Sequence, residues 1–211
     1  MKLYNYFRST ASYRVRIALN FKKITYEDVS VHLVKNGGEQ FYSNYLALNP
    51  QGLVPTLDDN GHVLNQSLAI IEYIEETNPT PPLLPKNPFA RGQVRGLAMM
   101  IACDVHPLNN LRVLQQLRQQ FAATEVQVNE WYHHWLKLGF DAIENRLTTW
   151  SRKIPVCFGN AVSLADICLI PQVYNANRFN FSMKDYPLIN GINEYCLTLD
   201  AFMNAKPEED V

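Results

Sequence analysis

Hydrophobic and polar positions follow two different patterns along the chain, and the change comes near residue 80. In the first part, short apolar runs typical of strands alternate with helix-like stretches. The order is a βαβ unit followed by a short helix, a hairpin and a final helix, which describes a small α/β layer of about 80 residues. The predicted strands are Lys2 to Phe7, Ile24 to Val31, Val54 to Leu57 and His62 to Leu64, and the predicted helices are Tyr13 to Phe21, Gln40 to Leu46 and Ser67 to Thr77.

The second part of the chain is helical and follows a proline-rich connector. Residues 78–85 read NPTPPLLP, which is too rigid for a helix and typical of a boundary between domains. We therefore predict one domain over residues 1–80, a linker over 81–88 and an all-helical domain over 89–211. The predicted helices are one over 89–120 that Pro107 can interrupt, one over 124–150, one that Ser163 begins with Asp166 in a capping box, and a last one that begins at Pro187.

Composition narrows the class of protein. The 211 residues are 47% hydrophobic and 18% charged with a net charge of −1, which argues against a disordered chain and against a protein that coats nucleic acid. No apolar run approaches the ~20 residues of a membrane span and no signal peptide is recognisable, so we expect a cytoplasmic protein without a membrane partner. The four cysteines lack CxxC or zinc spacing, so we expect buried free thiols and no metal site.

Charge is concentrated at the start of the chain. Six basic residues precede the first acid, Glu27, and create a local positive field suited to a small anion. Ser9 and Thr10 lie within this stretch, where the first strand meets the first helix. A hydroxyl there is most often an ordinary N-cap worth ~1 kcal/mol. The same helix start can also stabilise a bound anion, so spacing alone leaves both roles open.

Five stretches, spread over both predicted domains, carry a family resemblance. They are YFRSTASYRVRIAL (6–19), ALNPQGLVPTL (47–57), NQSLAIIEYIEE (65–76), CDVHPLNNLRVL (103–114) and SLADICLIPQVYNANRF (163–179). Together they make the chain similar to the zeta class of glutathione transferases, in its maleylacetoacetate isomerase branch. The resemblance implies a thioredoxin-like N-terminal domain with βαβαββα order, an all-helical C-terminal domain, a homodimer and glutathione as cofactor.

The resemblance also assigns site residues. Ser9 matches the catalytic serine, and Thr10 stands where a second serine is common. Ala11 stands where many members carry a cysteine, which puts in doubt any side activity that depends on an enzyme thiol. The peptide bond between Val54 and Pro55 is expected to be cis. The residues implied to contact glutathione are Ser9, Thr10, Ala11, Gln40, Val54, Pro55, Gln66, Ser67, His106 and Asn110.

Several of these residues have simpler interpretations. Gln40 also fits a solvated surface position, and Ser67 is a natural N-cap for the helix it begins. His106 precedes Pro107 and also fits a kink or a core position.

The implied substrate is a dicarboxylate, so arginines are the candidate ligands for it. Arginine binds carboxylates through paired N–H donors. Arg8 adjoins Ser9, and Arg178 follows the helix begun by Ser163. Arg112 fits a solvated helix face equally well. These three arginines are the predicted substrate-binding residues.

The resemblance implies isomerisation of maleylacetoacetate to fumarylacetoacetate, in tyrosine and phenylalanine degradation, by reversible thiolate addition. A maleylpyruvate isomerase is the close alternative, because both substrates share a maleyl group with an adjacent ketone. A transferase that conjugates glutathione to electrophiles or dehalogenates α-halo acids is a second alternative. A non-enzymatic binding protein on the same fold is a third.

Overall fold

The computed structural model describes residues 1–207, which form two compact units. The first consists of Met1–Pro82 and the segment that begins at Thr198, and the second is Leu83–Leu197. The sequence pattern had placed every residue from 89 onward in the helical part. Within residues 1–207, no helix is both long enough and apolar enough to cross a membrane.

The first unit contains a four-stranded sheet with the order β2-β1-β3-β4. β1 is parallel to β2 and antiparallel to β3, and β3 is antiparallel to β4. The predicted βαβαββα order is therefore confirmed. Its elements are β1 (Lys2–Asn5), α1 (Thr10–Phe21), β2 (Glu27–Ser30), the 3₁₀ turns Lys35–Gly37 and Glu39–Phe41, α2 (Ser43–Leu46), β3 (Thr56–Asp59), β4 (His62–Asn65) and α3 (Ser67–Thr77).

Local sequence explains most of these boundaries. α1 starts three residues earlier than the apolar pattern predicted, because Ser9 caps it and Thr10 is already helical. Asn60 and Gly61, with φ of 54° and 89°, form the tight turn between β3 and β4 that the right-handed twist of the strands favours. Leu3 and Leu57 pair across β1 and β3 and are fully buried in the core of this unit.

The segment that begins at Thr198 belongs to the first unit because α1 binds it. A short helix, α9 (Asp200–Met203), lies within that segment. Arg16 donates from Nε to the carbonyl of Ala205 at 3.1 Å, and Asn20 donates from Nδ2 to the carbonyl of Ala201 at 3.4 Å. The expectation that the helix from Pro187 is the last one is therefore wrong, since four residues are too few to show an apolar period.

The second unit consists of helices, apart from one isolated bridge between Arg152 and Gly159. The long helix predicted over 89–120 is interrupted around Pro107, where the chain passes through a π-helical turn and a non-helical segment. The helices are α4 (Pro88–Met99), the π-helical turn Met100–Val105, α5 (Leu111–Phe121), α6 (Glu125–Thr149), α7 (Leu164–Arg178) and α8 (Pro187–Cys196).

Capping residues mark the starts of these helices as the sequence predicts. Thr124 and Gln127 form a capping box at α6, and Ser163 and Asp166 form one at α7. The Asp166 carboxylate also accepts the Cys157 N–H at 2.6 Å, so this buried acid joins α7 to the preceding loop.

Three of the four cysteines are buried free thiols, as expected. Cys103, in the π-helical turn, is exposed, so the expectation of burial is wrong for it.

Gly139 on α6 is the point of closest approach to the π-helical turn. A Cβ at this position would overlap the side chain of Val105, which is 3% exposed and has no room to move. We expect Gly139→Ala to lower the free energy of unfolding by about 1–3 kcal/mol, as overpacked cores do. Denaturant titration measures the change. Gly191→Ala, on α8 with no atom near its Cβ, is the matched control and should raise stability by about 0.5–1 kcal/mol. Equal effects of the two changes would contradict the steric argument.

Candidate active site

Four loops of the first unit meet where the strands of its sheet begin or end on one side, and we call this place the loop edge. β1 and β2 are parallel and both end there, at Asn5 and Ser30. β3 runs the opposite way and starts there, with Thr56 opposite Tyr4, and β4 ends there, with Asn65 opposite Thr56. The loops at this edge carry all the predicted site residues of the first unit, which are Arg8, Ser9, Thr10, Ala11, Gln40, Val54, Pro55, Gln66 and Ser67.

Ser9 is the N-cap of α1. Its Oγ accepts the backbone N–H of Ser12 at 3.2 Å, so the capping interpretation is correct. A hydroxyl that accepts one hydrogen bond through a lone pair still has a hydrogen to donate. Capping and donation to a ligand are therefore compatible roles for Ser9.

The first turn of α1 is electrostatically suited to an anion. It contains no acidic residue, and the start of a helix carries a partial positive charge. Thr10 is only 2% exposed, whereas Ser9 and Ala11 are half-buried. Ser9 is therefore better placed than Thr10 to meet a ligand with its hydroxyl.

The start of α3 is a second place suited to an anion. Gln66 is its N-cap and makes no side-chain capping bond, while Ser67 is the first helical residue. The expectation that Ser67 is the N-cap is therefore wrong. The Ser67 Oγ instead accepts from Nη1 of Arg14 at 3.3 Å, and Arg14 is 1% exposed. A buried guanidinium thus adds a full positive charge beside the first turn of α3.

Sequence reasoning counted Arg14 only as part of the positive field and missed its position. α1 is buried along most of its length, and an arginine in the middle of such a helix was the available signal that its guanidinium has a buried role. Burial of that arginine is visible only when α1 packs against α3.

Gln66 has a backbone conformation that is costly for a residue with a side chain. Its φ is 72°, and such strain, about 1–3 kcal/mol, is concentrated at ligand clamps and active sites. Its side chain is exposed, and Nε2 donates to Oε1 of Gln51 at 2.8 Å. This conformation turns the chain from β4 into α3.

Val54 and Pro55 are joined by a cis peptide bond. Hydrogen bonds hold the chain on both sides of them. The Leu53 carbonyl accepts from the Tyr45 hydroxyl at 2.6 Å and from Asn49 Nδ2 at 2.7 Å. On the other side, Thr56 Oγ1 lies 2.9 Å from the same tyrosine hydroxyl. The backbone of Val54 is thereby kept in one position at the edge of the sheet.

Gln40 is not a solvated glutamine, so that interpretation is wrong. Gln40 is only 6% exposed, and its side-chain Nε2 donates to the Leu33 carbonyl at the long distance of 3.4 Å. Oε1 is buried without a hydrogen-bond partner. A buried amide oxygen without a partner costs about 1–3 kcal/mol, and a donor from a ligand would remove that cost.

The positive field predicted from the sequence is partly neutralised in the fold. Lys2 lies 3.3 Å from Glu27, and Lys22 lies 2.5 Å from Glu75. Arg16 is bound to Asn5 Oδ1 at 2.7 Å and to two carbonyl oxygens. Arg8 is half-buried with its guanidinium 5.1 Å from the Phe7 ring centre. Arg8 and Arg14 bring positive charge to the loop edge, where Arg8 adjoins Ser9 and Arg14 reaches Ser67.

Within the second unit, His106 and Asn110 lie in the non-helical segment after the π-helical turn. Asn110 is the N-cap of α5, and its Oδ1 accepts the Arg112 N–H at 3.2 Å. α6 anchors the segment, because Trp131 Nε1 donates to the Leu108 carbonyl at 2.8 Å. His106 is half-buried at the interruption of the helix, as the kink interpretation requires.

Arg112 and Arg178 are both exposed, and neighbouring side chains of this unit hold the Arg178 guanidinium. Its Nη1 donates to Asn175 Oδ1 at 3.0 Å, and the guanidinium lies 5.9 Å from the Tyr174 ring and 5.8 Å from the Phe179 ring. Burial raises the pKa of the neighbouring Tyr132 hydroxyl well above its usual range, although the Arg178 charge opposes the shift. Arg178 is thus pre-oriented, which favours it over Arg112 as a carboxylate ligand.

The family model for the glutathione S-transferase N-terminal domain matches residues 1–76. The whole chain is 48% identical to a probable maleylacetoacetate isomerase of Vibrio cholerae, covering 98% of this chain and 95% of that protein. It is 47% identical to a maleylpyruvate isomerase of a Ralstonia species, covering 98% of this chain and 97% of that protein. Both similarities extend over the two compact units.

Solved structures of a glutathione S-transferase and of two maleyl isomerases are also similar to the chain over nearly its full length. A glutathione S-transferase from Legionella pneumophila is 59% identical, with a TM-score of 0.88 over 99% of this chain and 100% of that one. A holo maleylpyruvate isomerase, described as a zeta-class bacterial enzyme, has a TM-score of 0.95 at 47% identity over 98% and 97% of the two chains. A maleylacetoacetate isomerase of Methylobacterium extorquens, with bound malonate and glutathione, has a TM-score of 0.93 at 41% identity over 98% and 96%.

Proposed function

This chain belongs to the zeta class of glutathione transferases, and on that premise we propose that it isomerises maleylacetoacetate to fumarylacetoacetate with glutathione as cofactor. The observation that carries the proposal is similarity over nearly the full length, at 45–48% identity, to proteins named for this activity. Such an enzyme acts in the degradation of tyrosine and phenylalanine.

The residues at the loop edge fit glutathione. When bound, glutathione supplies a thiolate that adds reversibly to the conjugated double bond, so that the bond can rotate before the thiol leaves. Ser9 donates its free hydroxyl hydrogen to the sulfur, and the positive end of α1 favours the anion. The chain has no cysteine before residue 103, so the first unit depends on a thiol from the ligand.

The other residues at this edge orient the tripeptide. The start of α3, with Gln66, Ser67 and the buried Arg14, suits the γ-glutamyl carboxylate. The backbone of Val54 suits the cysteinyl amide, and the unpartnered Oε1 of Gln40 suits a donor near the glycine end. Thr10, Ala11, Pro55, His106 and Asn110 are proposed to complete the contacts.

The substrate carboxylates are assigned to arginines. Arg8 adjoins Ser9, and Arg178 is held by Asn175 and two aromatic rings. Paired N–H donors bind a carboxylate and favour negative charge that develops next to it. Arg112 is a third candidate.

We expect Arg178→Met to raise the KM for the dicarboxylate by about tenfold to a hundredfold, the value of one charge-assisted hydrogen-bonded contact. The KM for glutathione should stay within about twofold, because the residue binds the other substrate. Steady-state kinetics with each substrate varied in turn measure both constants. Arg118→Met is the matched control, since Arg118 is an arginine on α5 whose 2.6 Å partner is Glu125. A rise in both KM values would contradict the assignment.

The test of the activity follows substrate and thiol together. Purified protein is incubated with maleylacetoacetate and a small amount of glutathione, and loss of the cis substrate is recorded beside the concentration of free thiol. An isomerase converts many equivalents of substrate with no net loss of thiol. Stoichiometric loss of thiol would instead support a conjugating or dehalogenating transferase, and no conversion would contradict the proposal.

Maleylpyruvate is the second candidate substrate, because the Ralstonia relative and the zeta-class structure at TM-score 0.95 are named for it. Both candidates present a maleyl group with an adjacent ketone. The ratio of the two kcat/KM values decides between them. A higher kcat/KM for maleylpyruvate would make maleylpyruvate the assigned substrate.

We also propose a cytoplasmic homodimer. α4 carries two exposed apolar side chains, Phe89 at 76% and Met99 at 48% exposure, and Phe89 also lines a groove of about 500 Å³. Exposed apolar side chains beside a groove are typical of protein interfaces. The exposed thiol of Cys103 suits a reducing compartment. Sedimentation equilibrium gives the oligomeric state, and a mass of one chain would exclude the dimer.

A further inference from the structure

The loop that follows β2 is closed by a histidine ring. Nδ1 of His32 lies 3.1 Å from the backbone nitrogen of Val34 and 2.9 Å from that of Lys35, and both N–H groups donate to it. A ring nitrogen accepts hydrogen bonds only while it is unprotonated, so Nε2 carries the hydrogen. The turn at Val34 and Lys35 therefore depends on a neutral imidazole.

The same loop is closed a second time between His32 and Glu39. The Glu39 N–H donates to the His32 carbonyl at 2.8 Å, and the His32 N–H donates to Glu39 Oε2 at 2.6 Å. The next residue along the chain is Gln40. The two closures thus fix the backbone from which the Gln40 side chain extends.

The loop backbone also packs directly against the Gln40 carboxamide. Its Nε2 donates to the Leu33 carbonyl, and a Cβ at Gly38 would lie 2.6–2.9 Å from the carboxamide atoms. Leu33 and Gly38 are both between His32 and Glu39 in the chain. Any change in the fold of this loop must therefore move the carboxamide.

We propose that His32 is a positioning residue for Gln40: by accepting the Val34 and Lys35 N–H groups, its ring holds the loop that fixes the Gln40 carboxamide for glutathione. The inference rests on the proposed function, in which Gln40 contacts the glycine end of glutathione. It requires no contact between His32 and the ligand.

Other groups hold the His32 ring and its backbone in place. The Tyr6 ring packs edge-on against the imidazole at 4.9 Å between ring centres, and Glu39 Oε2 accepts the His32 backbone N–H. The imidazole therefore joins the turn at Val34 and Lys35 to the closure at Glu39.

Binding of S-methylglutathione measured by calorimetry at one pH tests the inference, because this analogue has no thiol to ionise. His32→Ala removes the acceptor of both N–H groups, and we expect it to raise the Kd about tenfold, the value of one lost hydrogen bond. His32→Asn is the matched variant, since an asparagine oxygen accepts the N–H two residues ahead. Its Kd should stay within about threefold of that of the unmodified protein. An unchanged Kd in His32→Ala, or equal losses in the two variants, would overturn the inference.

Amide NMR of the ligand-free protein separates this inference from the proposed function. The side-chain amide signal of Gln40 should shift in His32→Ala and stay near its unmodified position in His32→Asn. Absence of S-methylglutathione binding by the unmodified protein would overturn the proposed function, and the NMR comparison alone would then decide whether His32 positions Gln40. A Gln40 signal that does not move in His32→Ala would overturn that role.

Discussion

Ser9→Ala should lower kcat by about a hundredfold to a thousandfold, the usual cost of removing one donor from a developing or bound anion. The KM for glutathione should change far less, because the start of α3, Val54 and Gln40 are proposed to hold the tripeptide. The physical reason is the free hydrogen of Ser9, whose Oγ uses only a lone pair to cap α1. Steady-state kinetics with maleylacetoacetate and glutathione measure both constants.

Two variants separate this loss from loss of the helix cap, which by itself costs ~1 kcal/mol. Ser9→Asp keeps an acceptor for the Ser12 N–H but has no hydrogen to donate at neutral pH, so it should retain its melting temperature and lose turnover. Ser12→Ala removes a neighbouring hydroxyl whose Oγ is buried without a partner, and it should leave turnover unchanged. A Ser9→Ala enzyme with normal turnover would remove Ser9 from the mechanism.

Lys22→Met should lower the free energy of unfolding by about 3–5 kcal/mol, the typical cost of leaving one charge of a buried pair without its partner. The Lys22 ammonium is fully buried, 2.5 Å from Glu75 Oε2 and 2.6 Å from the carbonyl oxygens of Asn78 and Pro81. The Glu75 side chain is only 9% exposed, so water does little to stabilise its charge once Lys22 is removed. Urea titration followed by circular dichroism measures the change.

Lys2→Met is the matched control, because Lys2 forms the same kind of pair with Glu27 on the surface, where the two side chains are 48% and 60% exposed. Exposed pairs contribute little, so no measurable change is expected. The double variant Lys22→Met/Glu75→Leu should recover part of the lost stability, since it removes both charges of the buried pair. Equal effects of the two lysine changes would contradict the argument from burial.

Much of the fold was predictable because its signals are local. The helix over 67–77 follows from an apolar period that begins and ends within eleven residues. The hairpin follows from Asn60 and Gly61, which adopt positive φ readily. The interruption near Pro107 was foreseen because proline removes a backbone donor. The π-helical turn before it was not, because it depends on how residues 100–105 pack against Gly139.

The candidate site was predictable to a smaller extent. Ser9 stood out because a hydroxyl at a strand-to-helix join is a local signal. Gln40 carried no local sign of burial, since its stretch also fits an exposed position. Arg14 carried one sign, its place in a mostly apolar helix, but the sequence does not show that it reaches Ser67. The capping role given to Ser67 was wrong because the backbone conformation of Gln66 cannot be inferred from residue type.

The sequence by itself determined the order of strands and helices over its first 80 residues, the family, and the hydroxyl that meets the start of α1. These depend on residues close together in the chain, or on motifs compared one by one with relatives. Only the tertiary structure decided that Arg14 reaches Ser67, that Lys22 lies beside Glu75, and that His32 and Glu39 close the loop before Gln40. The first two depend on packing between distant segments, and the third on a loop conformation that residue types do not specify, so each is settled by three-dimensional geometry.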